Sequence, residues 1–240
     1  MGTAKQQIIA LGGGGFSMEN GLALDRYIIA QSASLRPYVC FLHQASGESL
    51  DYLARFYAAY TMLPGQPSHL SLFKPHTADL EGFLLEQDIV FVGGGNSKSM
   101  LALWREWGVD RILRQALENG VVLAGISAGA LCWFEWGTTD SIPGALSPIR
   151  ALGFLEGAFS PHYDGESQRR PRTRHLVQTG AIPAAYGFDD GCAGHWIDGR
   201  LHAVVSSRPH ARAYRIVQGE TEAVETPIEA RYIAGDAPGV

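Results

Sequence analysis

Three short apolar runs in this chain each end in small residues and lead into a helical pattern. Gln7 to Leu11 empties into Gly12–Gly15, Ile89 to Val92 into Gly93–Gly95, and Val121 to Ile126 into a sharp turn at Ser127 with a helix from Ala128. Short apolar runs closed by glycine read as buried strands. Such strands alternating with helices specify an α/β fold, a mostly parallel sheet flanked by helices on both faces. Ligands then gather beyond the carboxyl ends of the strands. The two glycine loops and the Ser127 turn are therefore expected to converge on one crevice.

The remaining pattern fills in this frame. Helices are expected over Leu22–Ala33, Ser49–Leu63 with Ser49 as N-cap, Asp79–Leu85, from Ser97, over Gly108–Glu118 and over Arg170–Thr179. Further strands are expected after Pro37, over His69–Pro75 and over Phe154–Ser160. A strand and hairpin turning at Asp198-Gly199 follow. Arg212–Val217 and Ala230–Ile233 read as late antiparallel edge strands. With no linker, repeat or low-complexity stretch, residues 1–240 read as one domain. Trp104, Trp107, Trp133 and Trp136 stand at helical spacings on two helices and read as core, with a homodimer contact as the alternative.

Composition narrows the class. A net charge of −5 argues against nucleic acid, since the only basic cluster is Arg169–Arg174. Three widely spaced cysteines, Cys40, Cys132 and Cys192, form neither a disulfide framework nor a zinc pattern. No cofactor or metal is expected. The N-terminal apolar run is too short for a signal peptide, and no stretch approaches the ~18 apolar residues of a membrane helix. A reduced, cytoplasmic setting is the expectation.

The chemistry centres on Gly125-Ile126-Ser127-Ala128-Gly129, a G-x-S-x-G turn between a buried strand and a helix. Small neighbours suit a nucleophile at the apex of a strained turn, where bulk two residues away would clash. A serine needs a base. His162, in the loop Ser160–Glu166, is the leading candidate, with His43 and His195 as rivals. An acid should orient the imidazole. Asp140 is the first choice, ahead of Glu135, Asp164, Asp189 and Asp190. Gly93, Gly94, Gly95 and Asn96 offer backbone N–H groups for an oxyanion hole or a phosphate, completed by the Ala128 N–H. Gly12–Gly15 invites a dinucleotide reading. That reading fails because the third glycine of the fingerprint would fall at Ser17 and the second strand ends in His43 rather than an acid.

The sequence FVGGGNS, then AGISAGA, then TTDS, then SPHYDGE, in that order, resembles the peptidase E family of aspartyl dipeptidases and cyanophycinases over about residues 8 to 217. The resemblance implies a class I glutamine amidotransferase-like fold with serine at the elbow. It implies Ser127 as nucleophile, His162 as base and acid, and the Gly94 and Ala128 N–H groups as oxyanion hole. The acid is carried onto Asp140, with Asp190 second. The implied substrate is a dipeptide or short peptide, with N-terminal aspartate as one option. A cyanophycinase-like enzyme, an esterase and a non-catalytic binding protein are the alternatives. Aspartyl dipeptidases carry an arginine in a GETR-like segment. Here it is displaced within Gly165–Arg170, leaving Arg169 or Arg170 to hold a substrate carboxylate.

Overall fold

The computed structural model describes residues 4–19, 21–144 and 146–234. In chain order its strands are β1 (Gln7–Leu11), β2 (Tyr38–Leu42), β3 (Gln66–Leu70), β4 (Ile89–Val92), β5 (Val122–Ile126), β6 (Phe134–Thr139), β7 (Ser147–Arg150), β8 (Leu155–Ser160), β9 (Ala185–Phe188), β10 (Cys192–Ile197), β11 (Arg200–Ser206), β12 (Ala213–Val217), β13 (Val224–Ile228) and β14 (Arg231–Tyr232). The helices are α1 (Ala23–Ile29), α2 (Leu50–Tyr60), α3 (Leu80–Leu85), α4 (Ser97–Trp107), α5 (Val109–Glu118), α6 (Ala128–Leu131) and α7 (Arg169–Gln178).

Eight strands form the first sheet in the order β14-β11-β10-β1-β5-β4-β2-β3. From β1 to β3 every neighbouring pair is parallel, while β10 runs antiparallel to both β1 and β11. The central strands β1, β2, β4 and β5 are almost wholly apolar because both faces are buried, and successive residues alternate between them. Ile9, Leu11, Val39, Phe41, Ile89 and Phe91 pack with Leu24 and Ile28 of α1 and Phe56 and Tyr60 of α2. Ile8, Ala10, Cys40, Leu42, Val90 and Val92 face the other way, onto Leu84 of α3, Met100 and Trp104 of α4 and Leu113 and Leu117 of α5.

That second face also meets a second sheet, which the sequence did not announce. Its six strands run β13-β12-β9-β8-β6-β7. Phe134, Phe159 and Phe188 from it join Trp196 of β10 in the same core. The expected single sheet with late antiparallel edge strands is corrected accordingly. Ala213–Val217 lies inside the second sheet between β9 and β13, and the two-residue β14 lies at the edge of the first sheet but runs parallel, not antiparallel, to β11. The long helix expected from Ala128 is also corrected. It stops after four residues, and Phe134 to Thr139 pair instead with β7 and β8. Trp136 is therefore a strand residue, and the two tryptophan pairs do not lie on two helices. Trp104 and Trp133 are fully buried, and Trp107 is partly exposed. The third strand sits a few residues earlier than expected.

Candidate functional site

The elbow is built by two glycines. A Cβ on Gly125 would overlap the Gly129 carbonyl oxygen, and one on Gly129 would overlap the Val92 carbonyl oxygen of β4. With both absent, β5 can run straight into α6. Ser127 takes φ 57, ψ −113, a left-handed backbone costly for any residue with a Cβ. Its N–H donates to Leu11 O at 3.2 Å, and its carbonyl accepts from Ala130 and Leu131 N–H at 3.0 and 2.9 Å. The strained turn is thus clamped to the end of β1 on one side and to the first turn of α6 on the other.

β1 lies between β5 and β10, so the loop after β1 bridges the turn that follows β5 and the turn that precedes β10. Gly13 forms an isolated parallel bridge with Asp190, and its carbonyl accepts the Gly191 N–H at 3.0 Å. A Cβ on Gly13 would fall on Asp190 Oδ1 and lie 3.0 Å from His162 Nδ1. Glycine at 13 therefore makes room for a side-chain pair: His162 Nδ1 and Asp190 Oδ1 stand 2.7 Å apart. An ionised carboxylate can only accept, so this contact places the imidazole proton on Nδ1 and leaves Nε2 with its lone pair. Both side chains are mostly buried, at 17% and 20% exposure. His162 itself adopts φ 149, a second left-handed residue at the site.

Asp190 is held firmly. Its N–H donates to Asp164 Oδ1 at 2.9 Å, and its carbonyl accepts from Arg208 Nη1 at 3.0 Å. Arg208 also pairs with Asp164 at 3.0 Å. The neighbouring Asp189 points elsewhere and accepts the Arg212 N–H at 2.9 Å. Burial pushes its carboxyl up to about 6.

The other candidates are sorted by the same coordinates. Asp140 is exposed and makes no hydrogen bond to His162. Its loop is fastened to α4 instead: Asn96 Nδ2 donates to Ser141 O at 3.0 Å, and Lys98 N–H donates to Ser141 Oγ at 3.2 Å. The carboxylate that meets His162 is that of Asp190, the second choice from sequence. Glu135 accepts the Gly157 N–H at 2.9 Å and makes no hydrogen bond to His162. Asn96 Oδ1 caps α4 through the Ser99 N–H at 2.9 Å, so both ends of its amide are engaged in structure. His43 and His195 are buried, at 2% and 1% exposure. Burial lowers both, His195 to about 4.

The glycine loop after β4 does come to the elbow. Gly94 stands against Ser127, whose Cβ is 3.2 Å and Oγ 3.8 Å from where a Gly94 Cβ would be. Its N–H donates to the Tyr52 hydroxyl at 3.3 Å. Gly95 has φ 137, and a Cβ there would overlap Ala45 O. The Ala128 N–H has no acceptor among the described residues. Ser127 Oγ and His162 Nε2 likewise have no hydrogen-bond partner among the described residues and are not bonded to each other.

Neither arginine stands free. Arg169 is 2% exposed, with Nε and Nη2 on Glu166 Oε2 at 3.0 and 2.6 Å and Nη1 on Thr138 O at 3.0 Å. Arg170 pairs with Glu225 and lies over the rings of Tyr163 and Tyr214. Sequence placed the Gly12–Gly15 loop at the crevice without singling out Gly13, and it did not single out Tyr52, whose hydroxyl meets the Gly94 N–H. Gly13 was visible only as part of a glycine run, and nothing in the spacing of α2 distinguished Tyr52 from its aromatic neighbours.

The model of peptidase family S51 matches residues 8–204. The chain belongs to this family. It is 53% identical over 229 residues to the uncharacterized peptidase YgaJ of Bacillus subtilis, covering 95% of this chain and 99% of that one. Peptidase E of Streptomyces coelicolor is 30% identical over 143 residues, covering 54% of this chain and 56% of its own length. Among solved structures, a peptidase from an acI-B1 actinobacterium superposes with a TM-score of 0.69 over 95% of both chains at 15% identity. A putative peptidase E protein from Listeria monocytogenes gives 0.64 over 85% of this chain and 99% of that one at 17% identity. These two establish a shared fold. Family membership makes the chain a peptidase E-like hydrolase of the S51 group.

Proposed function

We propose that this S51 chain is a serine-type peptidase acting on dipeptides or short peptides through an acyl-enzyme, with Ser127, His162 and Asp190 as its triad. The observation that carries the assignment of the acid is the 2.7 Å contact between His162 Nδ1 and Asp190 Oδ1 at a strand end one removed from the Ser127 elbow. Ser127 Oγ attacks the peptide carbonyl while His162 Nε2 takes its proton. The carbonyl carbon becomes tetrahedral, and its oxygen takes the negative charge between the Gly94 and Ala128 N–H groups. His162 then gives the proton to the leaving amine, the C–N bond breaks, and water resolves the ester by the same relay. The Ser–His hydrogen bond, open in the free chain, forms when substrate is bound.

The engagement of both arginines argues against strict N-terminal aspartate specificity. Freeing Arg169 would leave Glu166 and the Thr138 carbonyl without their partner, and freeing Arg170 would break its pairing with Glu225. A panel of dipeptides that includes Asp-Leu, Ala-Leu and Lys-Leu, run with wild type and Ser127→Ala, tests the reading. Hydrolysis by wild type and none by the variant is expected, with no large advantage for Asp-Leu. A variant as active as wild type removes the serine mechanism. The three cysteines are free and buried, in keeping with a reducing, cytoplasmic setting, and no helix of the described residues is long and apolar enough to cross a membrane.

A further inference from the structure

The geometry points to the Tyr52 hydroxyl as a third donor to the oxyanion, beside the Gly94 and Ala128 N–H groups. This inference rests on the serine mechanism proposed above. Tyr52 sits in the first turn of α2, where the Ser49 hydroxyl caps the helix by accepting its N–H at 3.3 Å. Its ring is wedged between Phe41 and Phe16, with centroids 5.1 and 5.5 Å away. A Cβ on Gly93 would come within 2.9 Å of its Cε1, so that glycine is required for the loop to lie this close to the ring. The result is a rigid phenol whose oxygen is aimed at one backbone group, the Gly94 N–H, at 3.3 Å.

That aim has a consequence. An oxyanion that accepts from Gly94 must lie along the same N–H, in the space next to the Tyr52 oxygen. At 3.3 Å the resting N–H···O bond is long and weak, and a developing charge displaces or shares it. The phenolic proton is then the group facing that charge. Among the described residues this proton has no strong acceptor. The Ser17 hydroxyl nearby donates to Gly14 O at 3.1 Å, and no hydrogen bond among the described residues takes up the Tyr52 proton. A charge-assisted bond is roughly twice as strong as a neutral one, so the oxyanion wins the Tyr52 proton. Burial holds the phenol above its ordinary range, which keeps it in the donating form at working pH. The proton is shared in a hydrogen bond and is not transferred, so the overall proton balance of the acyl-transfer step is unchanged.

The test is Tyr52→Phe, which keeps the ring and its packing and removes one oxygen. Loss of one oxyanion donor lowers kcat on the order of 10²-fold. The expected result is such a fall on the dipeptide panel and on p-nitrophenyl acetate, with KM within about twofold and the thermal midpoint within a few degrees of wild type. The rate of fluorophosphonate labelling at Ser127, which also builds charge on an oxygen at the same place, should fall in parallel. A Tyr52→Phe enzyme with unchanged or higher kcat overturns the inference, because the hydroxyl would then only compete for the Gly94 N–H. Should Tyr52→Phe melt far below wild type, Tyr52→Met and Phe16→Leu serve as controls. Phe16→Leu disturbs the same packing and leaves the phenol, so a kcat loss as large as that of Tyr52→Phe would also overturn it. If Ser127→Ala retains full activity, the serine reading itself fails, a result distinct from an active Tyr52→Phe in an enzyme that Ser127→Ala inactivates.

Discussion

Asp190→Asn changes one oxygen to NH2 at the contact that orients His162. The wild-type carboxylate accepts from Nδ1–H at 2.7 Å, and the Asp190 backbone is tied at both ends by Asp164 and Arg208, so the side chain has little freedom to move away. An amide at this place can turn its NH2 toward the ring. Nδ1 then becomes the acceptor, the ring proton moves to Nε2, and the base has no lone pair to offer Ser127. The stabilisation of the imidazolium by an adjacent negative charge is lost as well. Together these effects are worth about 10³ to 10⁴ in kcat, or roughly 4 to 5.5 kcal/mol of barrier. Stability should change little, since the amide keeps a hydrogen bond and the same volume. The assay is steady-state hydrolysis of the best dipeptide of the panel, beside Asp140→Asn. Asp140 is exposed, and its substitution should leave kcat within about twofold of wild type. An active Asp190→Asn beside an inactive Asp140→Asn would refute the reasoning and return the third place to the TTDS loop.

Three further outcomes follow from particular residues. Ser127→Gly should abolish activity yet raise the thermal midpoint by a few degrees, because a glycine at φ 57 relieves strain of about 1 kcal/mol that Ser127→Ala retains; a Ser127→Gly midpoint below that of Ser127→Ala would contradict the strained elbow. Asp25 is fully buried beneath Gly15, its carboxylate oxygens meet no partner at hydrogen-bonding geometry among the described residues, and burial, opposed by the nearby Tyr60 hydroxyl, pushes its carboxyl up to about 6. The folded chain therefore binds the extra proton between its ordinary value of 3.8 and about 6, and stability from this group falls as pH rises through that window. Asp25→Asn should match wild type near pH 4 and exceed it by about 3 kcal/mol in urea unfolding at pH 8, and equal stabilities at pH 8 would refute the buried charge. Arg169→Met should lower stability by about 1 to 2 kcal/mol, because the buried Thr138 carbonyl loses its donor while the half-exposed Glu166 carboxylate turns to water, and it should leave the Asp-Leu to Ala-Leu activity ratio unchanged; a selective loss on Asp-Leu would show that Arg169 reads a substrate carboxylate.

Much of this molecule could be read along the chain. The apolar runs at β1, β2, β4 and β5 are buried on both faces and carry no ambiguity of phase, and Ser49 and Asp79 cap α2 and α3 as their side chains require. The elbow was legible because its glycines are a local steric need: Gly125 and Gly129 are four residues apart and meet within one turn. The second sheet was not legible. Phe134–Thr139 has the length of a strand, but it follows a helix start without a break, and only pairing with β7 and β8 decides against continuing that helix.

The site divides in the same way. The turn at Ser127 is determined by its own neighbours, so sequence alone locates that turn. Which of Asp140 and Asp190 meets His162 is decided by a contact between residues 28 apart in the chain, beside a glycine at 13 that leaves space for the pair. Arg169 had the charge to hold a carboxylate, but burial against Glu166 and the Thr138 carbonyl commits it to the fold. Local pattern reports what a backbone turn demands. Which acid meets the imidazole, and which cation remains free, depends on the order in which distant strands lie side by side.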